Sequence, residues 1–118
     1  MKITTQKIGH VVVAQLVGEI DMVDSEGLGD ALAEIVAAKP QQLVLDMAGV
    51  TYVASVGLSL LLRLAQDLRK IQCPLVIAAA TPAVQTVLDT VRLGAAIPID
   101  ATVEAALGRL TGKVAQPA

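Results

Sequence analysis

The sequence predicts a single α/β domain in which a mixed, mostly parallel sheet of four or five strands carries about four helices. At 118 residues the chain has room for one domain. It is 54% hydrophobic but has one Tyr and no Phe or Trp, so its core must be aliphatic. Short apolar runs alternate with helical segments in the order β-β-α-β-α-β-α-β-α, which is typical of a parallel sheet with crossover helices. We assign residues 1–112 to this domain and residues 113–118 to a frayed tail.

The chain is predicted to begin with a hairpin. Residues 2–7 alternate weakly, as an edge strand does, and Gly9-His10 is predicted to form the turn that follows. The β-branched run over 11–17 is typical of a buried strand. Residues 18–23 are then predicted to form a loop.

A helix and a buried strand are predicted next. Asp24 is a suitable N-cap for a helix over about 25–38, whose apolar residues recur at helical spacing until Lys39-Pro40 ends it. The short apolar run at 43–45 is typical of a parallel strand buried on both faces. We predict a loop over residues 49–54.

The second half of the chain continues the alternation of helices and strands. Thr81-Pro82 is an N-cap followed by a first-turn proline, and Asp100 or Thr102 is suited to cap the last helix. The predicted elements are a helix over 56–71, a strand over 75–78, a helix to about 92, a strand over 97–99 and a helix over 103–110.

Composition excludes several classes of protein. No segment approaches the ~18 consecutive apolar residues of a membrane helix, and the N-terminus shows no signal peptide, so we expect a cytoplasmic protein with no membrane insertion. The net charge of −2, with no basic stripe and no aromatic platforms, argues against nucleic acid. Cys73 and His10 are each the only residue of their type, which disfavours a disulfide, a metal site or a Cys-His pair. No cofactor is expected.

Acidic residues are concentrated near one end of the chain. Six of the eleven lie between Glu19 and Glu34, and no Lys or Arg occurs among residues 8–38. The pattern is compatible with a solvated face or with an acidic docking surface for a basic partner.

The sequence does not indicate an enzyme. The segment around Ser55 has the second glycine of a Gly-x-Ser-x-Gly nucleophile elbow but lacks the first. Glycine-rich nucleotide fingerprints are absent. A serine hydrolase or nucleotide-binding enzyme is the least favoured of three hypotheses, and the hydrolase requires His10 to lie near Ser55.

Ser55 has two possible roles. It immediately precedes a strongly apolar helix, so it could act as an N-cap that accepts a hydrogen bond from a free backbone amide. A phosphate at a helix N-terminus is stabilised by the helix dipole and the same free amides. The serine could therefore also act as a reversible charge switch.

Four segments at the ends of predicted strands and the starts of predicted helices stand out together. They are Gly18-Glu19-Ile20-Asp21, Leu43-Val44-Leu45-Asp46, residues 50–58, and Thr81-Pro82-Ala83-Val84 with Leu88-Asp89. These segments resemble the STAS domain, and in particular the anti-sigma factor antagonists of bacterial partner-switching systems. The resemblance covers about residues 3–110 with the same element order, and it implies that residues 1–112 form a single STAS-like domain.

The resemblance implies a site and partners. In that family the serine of Asp-Ser-Ser-Gly-Leu or Asp-Ser-Thr-Gly-Leu is phosphorylated by an anti-sigma kinase, so Ser55 is the implied phosphorylation site. The implied partners are an anti-sigma factor/serine kinase of GHKL type and a phosphatase. The implied partner-binding residues are Glu19, Asp21, Asp24, Val53, Ala54, Val56, Gly57 and Leu58.

Two residues depart from the family pattern. Ala54 replaces the Asp before the serine, and Val56 replaces the following Ser or Thr. Loss of the Asp removes a like charge beside the phosphate and a recognition group for the kinase. The alternative function is therefore a constitutive STAS interaction subunit, for example of a lipid transporter, in which Ser55 is only a cap.

Overall fold

The computed structural model describes residues 2–21 and 25–111, and it confirms the predicted fold class and element order. Asp24 and the predicted tail lie outside the described residues. The strands are β1 (Lys2–Ile8), β2 (Val11–Ile20), β3 (Gln42–Val53), β4 (Leu75–Ala78) and β5 (Ile99–Asp100), and the helices are α1 (Ser25–Ala37), α2 (Ser55–Lys70), α3 (Pro82–Thr90) and α4 (Val103–Thr111). A single 3-10 turn at Leu93–Ala95, which we did not predict, joins α3 to β5.

The five strands form one mixed sheet in the order β1-β2-β3-β4-β5. β1 and β2 make the antiparallel hairpin, and the remaining neighbours are parallel. Because β2 to β5 run in the same direction, their C-terminal ends meet at one edge of the sheet. We call this edge the C-terminal edge.

Aliphatic side chains fill both faces of the sheet. α1, α2 and α3 pack on one face over the larger cluster, which includes Leu16, Leu45 and Ile77. α4 packs on the other face over a smaller cluster that includes Val44 and Val76. Adjacent residues of β3 therefore enter different clusters, which explains why its sequence is a continuous apolar run rather than an alternating one.

The two loops predicted at 18–23 and 49–54 are wrong in part, because both neighbouring strands are longer than expected. β2 continues to Ile20 and β3 to Val53, and these two residues are register partners with buried side chains. Gly18 suggested a loop but lies within β2 with a φ of +121°, between two register shifts in the β2–β3 pairing. Burial of the strand ends outweighs the local turn signal.

Threonines cap two helices. Thr81 Oγ1 accepts a hydrogen bond from the Val84 amide at 3.4 Å, as predicted for α3. Of the two candidates for α4, Thr102 is the cap, since its Oγ1 accepts from the Ala105 amide at 3.0 Å.

Asp100 links β5 to α4 instead of capping the helix. Arg109 Nε donates to its Oδ2 at 2.8 Å and the second guanidinium nitrogen to its Oδ1 at 2.7 Å. These hydrogen bonds lower the pKa of the Asp100 carboxyl below its ordinary value; partial burial opposes the shift, and the guanidinium charge adds to it.

We predict that Asp100→Asn slightly lowers the free energy of unfolding at pH 7, with a pH-dependent difference from wild type. A carboxyl whose pKa is lowered by folding stabilises the protein above its unfolded pKa of about 3.9, and that contribution is lost as the pH falls through the folded pKa. Urea unfolding between pH 7 and pH 3 should show the two proteins converging at the acidic end. Asp30→Asn, an exposed control on α1, should show no such convergence. A gap that does not narrow as the pH falls from 7 to 3 would refute the ion-pair explanation.

Candidate functional site

Ser55 is the first residue of α2 and lies at the C-terminal edge of the sheet. The N-cap is Ala54, whose backbone is extended with φ −83° and ψ 168°. The prediction that Ser55 is the N-cap is therefore wrong by one residue. Ala54 is the N-cap because its carbonyl accepts the first hydrogen bonds of the helix, from the amides of Gly57 at 2.9 Å and Leu58 at 3.2 Å.

The Ser55 side chain is exposed, and its hydroxyl makes no hydrogen bond among residues 2–21 and 25–111. The first amides of any helix lack intrahelical acceptors, and α2 has neither a side-chain cap nor an acidic residue in its first turn. The hydroxyl thus lies beside a helix N-terminus whose positive end no side chain of that turn neutralises.

The end of β2 brings two predicted acidic residues close to Ser55. The Ala54 amide donates to the Ile20 carbonyl at 2.8 Å, which joins the start of α2 to the end of β2. Glu19, on one side of Ile20, is exposed, and Asp21, on the other side, is half-buried. Both therefore lie at the same edge as the serine.

Two of the predicted partner-binding residues are buried. Val53 is 4% exposed and Gly57 is also buried, so both pack beneath the surface and do not present side chains to a partner. Ala54, Val56 and Leu58 are half-buried, and Leu58 also packs against the larger cluster.

Tyr52 is a surface residue that the sequence patterns did not single out. It is the only aromatic residue in the chain, it is 52% exposed, and it is the register partner of Glu19. Exposed aromatic side chains are frequent at binding surfaces. The single Tyr in an otherwise aliphatic composition was therefore a signal in the sequence for such a surface. We define the Ser55 surface as Glu19, Asp21, Tyr52, Ser55 and Val56.

The acidic residues of the 19–34 segment do not form a single face. Asp30 lines a groove between α1 and α2 that also contains Arg63. Glu34 lines a different groove, between α1 and β1. Of the described acidic residues in this segment, Glu19 and Asp21 alone lie at the end of β2, so the acidic part of the Ser55 surface is smaller than the sequence pattern indicates.

The hydrolase hypothesis fails on distance. His10 lies in the turn before β2, whereas Ser55 adjoins the last residue of that ten-residue strand, about 30 Å away at strand spacing. Cys73 is buried, and burial raises the pKa of its thiol, which disfavours the reactive thiolate. Within the part of the chain that the structure describes, no three His, Cys, Asp or Glu side chains are grouped to hold a metal ion.

The structure is a small α/β domain with an exposed serine at the start of α2. The sequence model of the STAS domain matches residues 2–106, nearly the whole chain. The chain belongs to the STAS domain family.

Two relatives found by sequence comparison are both named anti-sigma factor antagonists. The chain is 32% identical over 106 residues to BtrV of Bordetella bronchiseptica, named as a putative anti-sigma factor antagonist, with 90% of this chain and 91% of BtrV covered. It is 37% identical over 59 residues to the anti-sigma-F factor antagonist RsfB of Mycobacterium tuberculosis, covering 50% of this chain and 48% of RsfB.

Solved structures agree with this family. An anti-sigma factor antagonist from Mycobacterium paratuberculosis superposes with a TM-score of 0.85 at 30% identity, covering 92% of each chain. The antagonist SpoIIAA in its unphosphorylated form has the same fold, with a TM-score of 0.76 at 23% identity over 94% of this chain and 97% of SpoIIAA. Among residues 2–21 and 25–111, no helix has the length and apolar character needed to cross a membrane.

We predict that Gly57→Ala lowers the free energy of unfolding by about 1–3 kcal/mol, the usual cost of overpacking a core. A Cβ at this position would overlap Ile20 Cγ2 and lie 3.0 Å from Val53 Cγ1, both in side chains of the core. Gly27→Ala on α1 is the matched control, because a Cβ there meets nothing within 4 Å, and it should cause no loss. Equal stabilities of the two variants in urea would show that Gly57 does not hold α2 against β2.

We also predict that Ala54→Asp raises the free energy of unfolding by about 1 kcal/mol. The extended backbone of Ala54 suits an N-cap, and a carboxylate there can accept from a first-turn amide that now lacks a side-chain partner. Urea unfolding at pH 7 measures the change. Ala54→Asn should give a similar gain if the hydrogen bond dominates, whereas a loss in both variants would contradict this account of the helix start.

Proposed function

We propose that this protein is an anti-sigma factor antagonist that binds an anti-sigma factor/serine kinase of GHKL type, and that phosphorylation of Ser55 dissociates the complex. Binding would release a sigma factor from the kinase, and a phosphatase would restore the binding form. The observation that carries the proposal is the exposed Ser55 hydroxyl at an uncapped helix N-terminus. The names of BtrV and RsfB support the regulatory role.

The Ser55 surface has the chemistry of a docking site. Tyr52 and Val56 contribute apolar area, while Glu19 and Asp21 contribute negative charge at the same edge of the sheet. A partner patch that places an apolar side chain on Tyr52 and a basic side chain near Glu19 would be complementary to it.

A phosphate on Ser55 can oppose binding without unfolding the domain. It adds about −1.5 to −2 charge at pH 7. Against one partner carboxylate ~6 Å away, at an effective dielectric constant near 20, the repulsion is roughly 4–5 kcal/mol before screening. A micromolar complex is held by about 8 kcal/mol, so this repulsion removes roughly half of its binding free energy.

Ala54 favours the alternative function, a constitutive STAS subunit. The alanine supplies neither a cap nor the recognition carboxylate that the family pattern places before the serine. Under this alternative Ser55 receives no phosphate, and a negative charge introduced at position 55 has little effect on partner binding.

Ser55 variants separate the two functions. The protein is mixed with a candidate GHKL-type anti-sigma kinase, first with ATP to map phosphate by mass spectrometry, and then with ADP to measure affinity. We expect phosphate on Ser55, binding by Ser55→Ala within about threefold of wild type, and binding by Ser55→Asp that is weaker by roughly 10- to 100-fold, since the single charge of Asp is repelled by about 2.8 kcal/mol at ~6 Å before screening lowers that figure.

Thr4→Asp is the matched charge control. Thr4 is exposed on β1, several strand residues and two strands away from Ser55, beyond the Debye length of about 8–10 Å. This variant should bind like wild type. Ser55→Asp binding as tightly as wild type, with no phosphate on Ser55, would instead support the constitutive subunit; absence of any complex in ADP would exclude this kinase as the partner.

A further inference from the structure

A groove of about 660 Å³ lies between the hairpin and α1, far from the Ser55 surface. Ile3, Thr5 and Lys7, alternate residues of β1, form one wall, and Ala31 and Ile35 of α1 contribute to the other. This volume lies within the range of small-molecule sites in proteins.

The groove has an apolar floor. Ile3, Val12 and Ile35 form the floor; they are half-buried, and each packs against the larger cluster. From Ile3 to Lys7 the groove follows β1 for about 13 Å at strand spacing. Its floor therefore suits an extended alkyl chain.

The charges are concentrated at one end of the groove. Lys7 pairs with Val12 near the hairpin turn, His10 lies in that turn, and Lys39 follows the C-terminal end of α1. Ile3 lies toward the opposite end, where it pairs with Leu16. The groove thus has a basic end and an apolar floor that extends away from it.

The balance of charge at the basic end favours a single negative charge. Among the described residues, Glu34 is the only acidic one that lines the groove, and two lysines against one glutamate leave one excess positive charge. Within residues 2–21 and 25–111, neither Lys7 nor Lys39 forms an ion pair that would already satisfy it.

We propose that this groove binds a fatty acid, with the carboxylate between Lys7 and Lys39 and the alkyl chain over Ile3, Val12 and Ile35. The carboxylate supplies the one negative charge that the basic end lacks. The chain covers apolar side chains that are otherwise half-exposed to water. This site is independent of the Ser55 surface and of the proposed phosphorylation.

The test is a titration of the ¹⁵N-labelled full chain with hexanoate, octanoate and decanoate, followed by amide chemical shifts. We expect saturable shifts at Ile3, Val12 and Ile35, and an affinity that rises about two- to fourfold for each added methylene. Octanol, which has the chain but no charge, should bind at least threefold more weakly than octanoate.

Matched variants test each half of the ligand. Lys7→Gln and Lys39→Gln should each weaken decanoate binding about three- to tenfold, whereas Lys70→Gln, an exposed change at the end of α2, should leave it unchanged. Ala31→Met, which fills the groove without changing its charge, should weaken it more than tenfold. Urea unfolding confirms that each variant is folded.

Three results would overturn the proposal. One is the absence of saturable shifts up to the solubility limit of decanoate. Another is saturable binding that shifts amides outside the groove. The third is equal affinity for octanoate and octanol together with no effect of either groove lysine, since the site would then be a non-specific apolar surface.

Discussion

The candidate site depends on one contact, between the first turn of α2 and the last residue of β2. The Ala54 amide donates to the Ile20 carbonyl at 2.8 Å. The Ile20 side chain packs against Gly57, where the Cβ of any larger residue would occupy the same space. Ile20 is completely buried in the larger cluster, so the core itself fixes where α2 begins. Ser55 is consequently held at the C-terminal edge by packing, and the acidic residues on either side of Ile20 are brought to it by the same contact.

The aliphatic composition fits this architecture, because Val, Leu, Ile and Ala side chains fill the space on both faces of the sheet. Neighbouring residues such as Val44 and Leu45 enter different clusters, and α4 covers the smaller cluster. Tyr52, the chain's single aromatic residue, stands outside this core at the C-terminal edge. The groove and the Ser55 surface therefore lie at opposite ends of β2, separated by a continuous aliphatic core, and a change of charge at one surface need not alter the packing at the other.

Local patterns predicted the elements well, but they could not predict where the strands end or which residues of the site are exposed. Thr81 caps α3 as predicted because a cap depends on residues within one turn. β2 and β3 continue beyond Gly18 and Gly49, where loops were predicted, because Ile20 and Val53 pair with each other only in the folded sheet. The N-cap is Ala54 and not Ser55 because the Ala54 carbonyl already accepts the first amide hydrogen bonds of α2. The groove was missed altogether, since it combines residues 3–12 with residues 31–41, which are brought together only by the packing of α1 beside the hairpin.

The energies at the start of α2 indicate why a charge switch here would act on an interface and not on the fold. A negative group at a helix N-terminus gains about 0.3–1 kcal/mol from the dipole when exposed, and Ala54 leaves that position without a competing carboxylate. Repulsion from Glu19 and Asp21 opposes this gain, but water screens exposed charges, so the two effects are of similar size. In a complex the same phosphate is desolvated against a partner, where each nearby carboxylate costs several kcal/mol. The fold is therefore nearly indifferent to a phosphate on Ser55, whereas a complex formed over that residue is not.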